Sequence, residues 1–380
     1  MARIVTYDPP SAKPHPETAS LSGIDVLALM RDQGLEQVVV LNDTATGLSG
    51  FIVIHDTTRG PAIGGCRLSS YASTDDALLD AVRLAVAMTR KCALAGLNAG
   101  GGKGVLIDHA GITDRTAMLR ALGRYVESLG GRFYTSGDLG LHAADIAHMR
   151  ETSRFVAVPD ERTLDLAGGV ASGVLGGMRA TLAAAGLGRD LTGRKVVVQG
   201  LGAMGARIAA LLVREGAVVT AADTDPETAS RVAQATGVRL VAPEAVWDEA
   251  ADLFCPCAES GVLTLESVAR LRVRGVVGAA NNQLATPEVD AALSARGVLY
   301  APDYAVNSGA IILSARAFLE RRSDLRETIV GLSDRVEETV GRIFGESART
   351  GHPPQQVADR LADDALVRPR STERQFWPQR

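Results

Sequence analysis

Lys195-Val196-Val197-Val198-Gln199-Gly200-Leu201-Gly202-Ala203-Met204-Gly205-Ala206-Arg207-Ile208-Ala209-Ala210-Leu211-Leu212 is the stretch on which the fold turns. A β-branched run, glycines spaced G-x-G-x-x-G and a helical apolar pattern predict a strand, a tight turn and a helix. Gly200 permits the turn, Gly202 lets backbone N–H groups approach a pyrophosphate, and Gly205 lets helix and strand pack closely. Leu201, Ala203 and Met204 complete the loop, and the helix N-terminus offers free donors and partial positive charge to an anion. Glycine is common here, 40 of 380 residues, so the flanking strand and helix carry the reading more than the spacing does. Asp223 lies eighteen residues past Gly205, at the end of the next β-rich run. An acid there accepts hydrogen bonds from both ribose hydroxyls and repels a 2′-phosphate, which favours NAD over NADP. The plain structural alternative is a glycine turn followed by a helix-capping aspartate.

Outward from that stretch, Val218-Val219-Thr220-Ala221, Arg239-Leu240-Val241, Leu253-Phe254-Cys255, Val276-Val277-Gly278 and Val298-Leu299-Tyr300 alternate with helical segments. The rhythm predicts a doubly wound parallel sheet. Upstream, the Gly-rich Ala167–Gly173 opens an Ala-rich helix that ends near Gly186. Earlier still, Val38–Leu41 and Phe51–His55 read as strands. Ser73-Thr74-Asp75-Asp76 supplies a cap and acidic first turn to a helix with Leu78, Val82, Ala85 and Met88 on one face. Val105-Leu106-Ile107 reads as a short buried strand, and about 113–129 as another helix. From Ser308 to Leu366 the pattern is helical. The fold class is α/β, with two domains.

A formal net charge of −4 gives no basic field of the kind nucleic acid demands. Hydrophobic residues at 46% against 22% charged exclude wholesale disorder. No apolar run approaches the ~20 residues of a membrane span, so no membrane partner is expected. Residues 1–20 lack an apolar core before a cleavage site and read as a loose Pro-rich arm rather than a signal peptide. Cys66, Cys92, Cys255 and Cys257 form no zinc pattern with the six histidines, and Cys255-Pro256-Cys257 is too tight for the CxxC type. No metal is expected, and reduced thiols suit a cytoplasmic protein.

Lys91 and Lys103 stand twelve residues apart, one after an apolar helix and the other after Gly100-Gly101-Gly102. A phosphate loop needs Gly at 97 and Ser or Thr after the lysine; Leu97 and Gly104 fail both. The glycines are therefore expected to bring a substrate or cofactor close to the backbone beside Lys103. A lysine among apolar neighbours loses hydration, which lowers its pKa and suits it to acid–base work. Two solvated lysines beside a flexible turn are the plain alternative.

Gly60-Pro61-Ala62-Ile63-Gly64-Gly65, Met88-Thr89-Arg90-Lys91, Gly100-Gly101-Gly102-Lys103, Gly137-Asp138-Leu139-Gly140, Ala279–Leu284 and Tyr300–Gly309 occur in one order. Over roughly Leu21 to Leu366 the chain thereby resembles the glutamate/leucine/phenylalanine/valine dehydrogenase superfamily, nearest its short leucine- and phenylalanine-type members. The resemblance implies a substrate-binding and oligomerisation domain over 21–160, a Rossmann domain over 161–307, C-terminal helices over 308–366 packing back across the cleft, and a tail over 367–380. It implies that Lys91 binds the substrate α-carboxylate. Lys103 would hydrogen-bond the keto oxygen or catalytic water, and Asp138 would shuttle the proton of the amine. Ile63, Ser136, Ile311 and Ser314 would set side-chain selectivity, with Gly64 and Met88 lining the floor and Asn282 also touching substrate. Cys257, Ala258, Asn281 and Asn282 would join the cofactor contacts. Glutamate-specific relatives place a lysine where Ile63 stands, so glutamate is disfavoured. Ser314 either meets a polar or aromatic substituent or simply bonds the preceding helical turn.

Leu141, Val170 and Cys92 depart from the family pattern, where two threonines and an asparagine are usual; Ser172 is a candidate replacement near Val170. Together these readings imply a homo-oligomeric, NAD-dependent enzyme. It would convert an L-amino acid with an apolar or aromatic side chain to its 2-oxo acid and ammonia, reversibly. A biosynthetic relative acting on an unusual amine or imine, and a non-catalytic NAD sensor, remain as alternatives.

Overall fold

The computed structural model describes residues 23–158, 164–320, 322 and 325–367. The arm over 1–20, the break at 160/161 and the tail beyond 367 fall outside the described residues. A first sheet contains β1 (Gln37–Asp43), β2 (Leu48–Asp56), β3 (Ala62–Ile63), β4 (Cys66–Ser69), β5 (Gly100–Ile107) and β6 (Phe133–Tyr134). Strands β1, β2 and β5 run antiparallel in succession, β5 pairs in parallel with β3 and β4, and β3 pairs in parallel with β6.

Strand β5 begins five residues earlier than its apolar residues predict, because the glycines belong to it. A Cβ on Gly100 would lie 1.7 Å from the Asp56 carbonyl oxygen, one on Gly101 2.1 Å from the Thr89 nitrogen, and one on Gly104 2.4 Å from Cys66 Sγ. These glycines therefore let the protein's own backbone and the helix Thr74–Leu94 close onto β5. That replaces the expectation that they open the backbone to a ligand. The helix itself starts where its cap predicts, with the Ser73 hydroxyl accepting from the Asp76 N–H.

The second sheet is wholly parallel and contains β7 (Lys195–Gln199), β8 (Val218–Ala222), β9 (Arg239–Leu240), β10 (Leu253–Pro256), β11 (Gly275–Val276) and β12 (Leu299–Tyr300). Its order, β12-β11-β10-β7-β8-β9, is the 3-2-1-4-5-6 order of a Rossmann sheet read from the other edge. The order reverses between β7 and β10, and ligands bind outside the carboxyl ends of strands at such a point.

Helices join the two halves. Arg326–Thr350 packs along Leu166–Ala184, where a Cβ on Gly176 would meet the Ser333 carbonyl oxygen at 2.0 Å. The last helix, Pro354–Val367, lies against Thr74–Leu94. Arg90 Nε pairs with Asp363 at 3.0 Å, and Arg59 donates to the Ala365 carbonyl at 3.0 Å. One apolar cluster crosses between the halves, bringing Ile63, Cys92 and Leu97 against Ile311, Leu313, Leu325 and Leu332.

Candidate active site

A cavity of about 290 Å³ opens between the two sheets. The first half contributes Ile63 and Gly64 at the end of β3, Met88 and Lys91 from the long helix, Lys103 from β5, and Ser136 and Asp138 from the loop after β6. Asn281, Asn282 and Asp303 enter from the second half, and Ile311, Ser314 and Phe318 from the helix Gly309–Phe318. Every residue proposed for catalysis or substrate binding on sequence thus faces one space.

The charged centre is built by close backbone approach. The Asp138 N–H donates to the Cys66 carbonyl at 2.8 Å, which holds its loop on β4. Lys103, only 6% exposed, donates from Nζ to Asp138 Oδ2 at 2.6 Å, and Arg67 Nε donates to the same oxygen at 3.1 Å. Burial works to raise the Asp138 carboxyl, but Lys103 and then Arg67 outweigh it and hold it below the usual carboxylate range. Across the cavity, burial pulls the Lys91 ammonium below its ordinary value, against the opposing charge of Asp303. Among the described residues the Lys91 ammonium makes no hydrogen bond and no ion pair of 4 Å or less. It is a cation facing the cavity without an anion of its own.

The other walls are mostly apolar. Ser136 is tethered, its hydroxyl donating to the Ala157 carbonyl at 2.8 Å. The Ser314 hydroxyl has no hydrogen-bond partner among the described residues, so it does not bond the preceding turn and stays available to the cavity. Asn282 adopts φ +50°, an unusual conformation for a residue other than glycine. Asn281 Oδ1 accepts from Asn307 Nδ2 at 2.9 Å. Of the departures, Leu141 and Cys92 are buried in apolar clusters, and the Ser172 hydroxyl donates to the Ile329 carbonyl.

Gly200–Gly205, Asp223, Cys257 and Ala258 do not line this cavity. They cluster at the carboxyl ends of β7, β8 and β10, where the strand order reverses. Gly200 turns at φ +90° with Ala258 packed where its Cβ would be, and the Cys257 N–H donates to the Gln199 carbonyl at 2.8 Å. A Cβ on Gly205 would sit 1.8 Å from the Gly200 carbonyl oxygen, so helix and strand do require glycine there. Gly202 differs: its Cβ would meet nothing within 4 Å, and no side chain caps the helix that follows. The Asp223 carboxylate accepts the Leu201 N–H at 2.6 Å and the Asp225 N–H at 2.8 Å, closing the loop while keeping lone pairs free. The space and the donors fit a dinucleotide pyrophosphate and ribose.

Sequence reasoning missed Arg67, Asp303, Tyr134 and Phe318, all of which line the cavity. Arg67 lies two residues beyond the matched Gly64-Gly65, and Asp303 lies inside a matched motif, so adjacency was the available signal for both.

Fold and cavity together describe a two-domain oxidoreductase. Residues 36–155 match the Glu/Leu/Phe/Val dehydrogenase dimerisation domain, and residues 225–366 match the Glutamate/Leucine/Phenylalanine/Valine dehydrogenase domain. A phenylalanine dehydrogenase of Bacillus thermotolerans is 37% identical, with 90% of this chain and 91% of the relative covered. A leucine dehydrogenase of Thermoactinomyces intermedius is 36% identical over 91% of this chain and 95% of its own. The crystal structure of L-tryptophan dehydrogenase from Nostoc punctiforme superposes with a TM-score of 0.77 at 32% identity, covering 90% of this chain and 98% of that one. The chain belongs to the glutamate/leucine/phenylalanine/valine dehydrogenase family, and it is an amino-acid dehydrogenase by class.

Proposed function

We propose that the protein catalyses NAD-dependent oxidative deamination of an L-amino acid with an apolar or aromatic side chain, giving the 2-oxo acid and ammonia, and the reverse. The observation that carries this reading is the unpaired Lys91 ammonium facing the same cavity as the Lys103–Asp138 pair. Lys91 takes the substrate α-carboxylate, which fixes Cα between the two lysines. Asp138, ionised because Lys103 and Arg67 hold it so, accepts a proton from the substrate ammonium and leaves a neutral amine. A bound nicotinamide supplies the hydride acceptor for the Cα hydrogen. Asp138 passes that proton on along its 2.6 Å hydrogen bond with Lys103. It then takes a proton from the Lys103-held water as that water adds to the imino carbon, and returns it to the nitrogen. The hydroxyl proton leaves with ammonia as ammonium when the carbonyl forms. Closure of the two halves excludes bulk water from these transfers.

Ile63, Met88, Ile311 and Phe318 offer no cation to a distal carboxylate, which supports an apolar or aromatic side chain over glutamate. Asp223, with Asp225 beside it, supports NAD over NADP because a 2′-phosphate would meet two acids. We place the enzyme in the cytoplasm as a homo-oligomer, built through the half that matches a dimerisation domain. The test is NADH formation at 340 nm with each proteinogenic L-amino acid at alkaline pH. Turnover on an apolar or aromatic amino acid, falling about 10²–10⁴-fold in Lys103→Ala, is the expected result. Silence across the panel with NAD bound would overturn it and point to an unusual amine or to a sensor.

A further inference from the structure

Arg67 lies on β4, opposite Val105 of β5, and makes two charged contacts. Its Nε meets Asp138 Oδ2 at 3.1 Å, and its Nη1 meets Asp80 Oδ2 at 2.9 Å. Asp80, on the helix Thr74–Leu94, is anchored in turn by the Tyr71 hydroxyl at 2.8 Å and by Arg83 Nη2 at 2.7 Å. Lys103 and Arg67 both address Oδ2 of Asp138, and no described side chain donates to Oδ1. We infer that Arg67, held by Asp80, is a positioning residue for the reaction: it holds Asp138 Oδ2 so that Oδ1 faces the substrate amine.

The physical basis is the fork geometry of the guanidinium. One edge of Arg67, itself part of the cavity wall, holds Asp138 Oδ2 while another is held by Asp80, so that oxygen is tied to the helix Thr74–Leu94. Lys103 and the Leu139 N–H also hold the carboxylate, but neither ties it to the helix that carries Asp80. Arg67 stays charged across the working range because Asp138 and Asp80 outweigh its burial. The groups facing Asp138 are Lys103 from β5, Arg67 and Cys66 from β4, and Lys91 from the long helix. Burial pushes the Cys66 thiol up to about 11, so it is neutral below that pH and does not set the charge of Asp138.

The inference rests on the role given to Asp138 above, and its test reads Asp138 directly. In Arg67→Met, the Asp138 carboxyl titration followed by carbon NMR is expected to move upward by about one unit. The acid limb of kcat should move upward by the same amount, with plateau kcat down about 10- to 100-fold and KM changed less than threefold. Arg67→Lys should restore most of the titration shift but little of the plateau rate, since it keeps the charge and loses the fork. Asp80→Asn should fall between the parent and Arg67→Met. An unmoved Asp138 titration with only a lower melting temperature would overturn the inference and make Arg67 a structural tie. A large rise in KM at unchanged kcat would also overturn it, by making Arg67 a direct substrate contact. If no amino acid turns over, the proposed function fails, and the NMR titration still decides whether Arg67 controls Asp138.

Discussion

Gly100–Gly104, inside β5, and Gly200–Gly205, just after β7, both gather several glycines at a strand. In the first, every added Cβ at positions 100, 101 and 104 would strike the protein's own atoms within 2.4 Å. In the second, Gly200 and Gly205 are likewise packed against the protein, while Gly202 faces nothing within 4 Å. The first run uses glycine to press a helix onto a strand, which places Lys91 and Lys103 on facing sides of one cavity. The second leaves a single glycine, Gly202, facing open space at the head of its helix. Glycine content therefore does not announce a ligand loop; what matters is whether the missing Cβ is replaced by protein or by space.

The largest effect is expected at Gly101→Ala, where the Cβ would lie 2.1 Å from the Thr89 nitrogen. Stability should fall by more than about 3 kcal/mol in urea titration, and a loss under about 1 kcal/mol would break the comparison. Gly205→Ala, with its clash against the Gly200 carbonyl, should lose about 2 kcal/mol and also most dinucleotide affinity, as calorimetry and NADH fluorescence can read together. Gly202→Ala is expected to leave the melting curve in place while raising the NADH dissociation constant about tenfold, roughly 1.4 kcal/mol. An equal loss of stability there would mean that the two runs are alike after all. The smallest effect belongs to Asp223→Ser, which orphans the Leu201 N–H at a cost of about 1 kcal/mol. It should narrow the NADH-to-NADPH affinity ratio about tenfold, measured by parallel titrations.

The legible parts of the molecule were the local ones. Strand, turn and helix around Gly200 follow from contiguous residues, and Ser73 caps the helix that its spacing predicts. Lys91 and Lys103 stood out because the chain itself keeps them near each other. The start of β5 is not legible in the sequence because a glycine gives no sign of what will press against it; Asp56, Thr89 and Cys66 do so only in three dimensions. The Arg67–Asp138 contact joins residues 71 positions apart, and Arg67–Asp80 depends on how β4 meets a helix, so neither pattern has a period or spacing to read. Ser314 illustrates the same limit at one side chain: its two readings differed only in whether the preceding turn would take its hydroxyl.

The clasp between Arg90 and Asp363 joins residues 273 positions apart, one beside Lys91 and the other in the helix Pro354–Val367. Chains emerge from the ribosome N-terminus first, at about 5–20 residues per second. Lys91 is therefore synthesised well before Asp363, on a helix whose Arg90 waits 273 residues for its outer brace. During that interval the growing polypeptide carries the parts of its catalytic cleft without their closing support. A protease cut between Pro354 and Asp363 would reach back more than 260 positions and loosen the helix that carries Arg90 and Lys91.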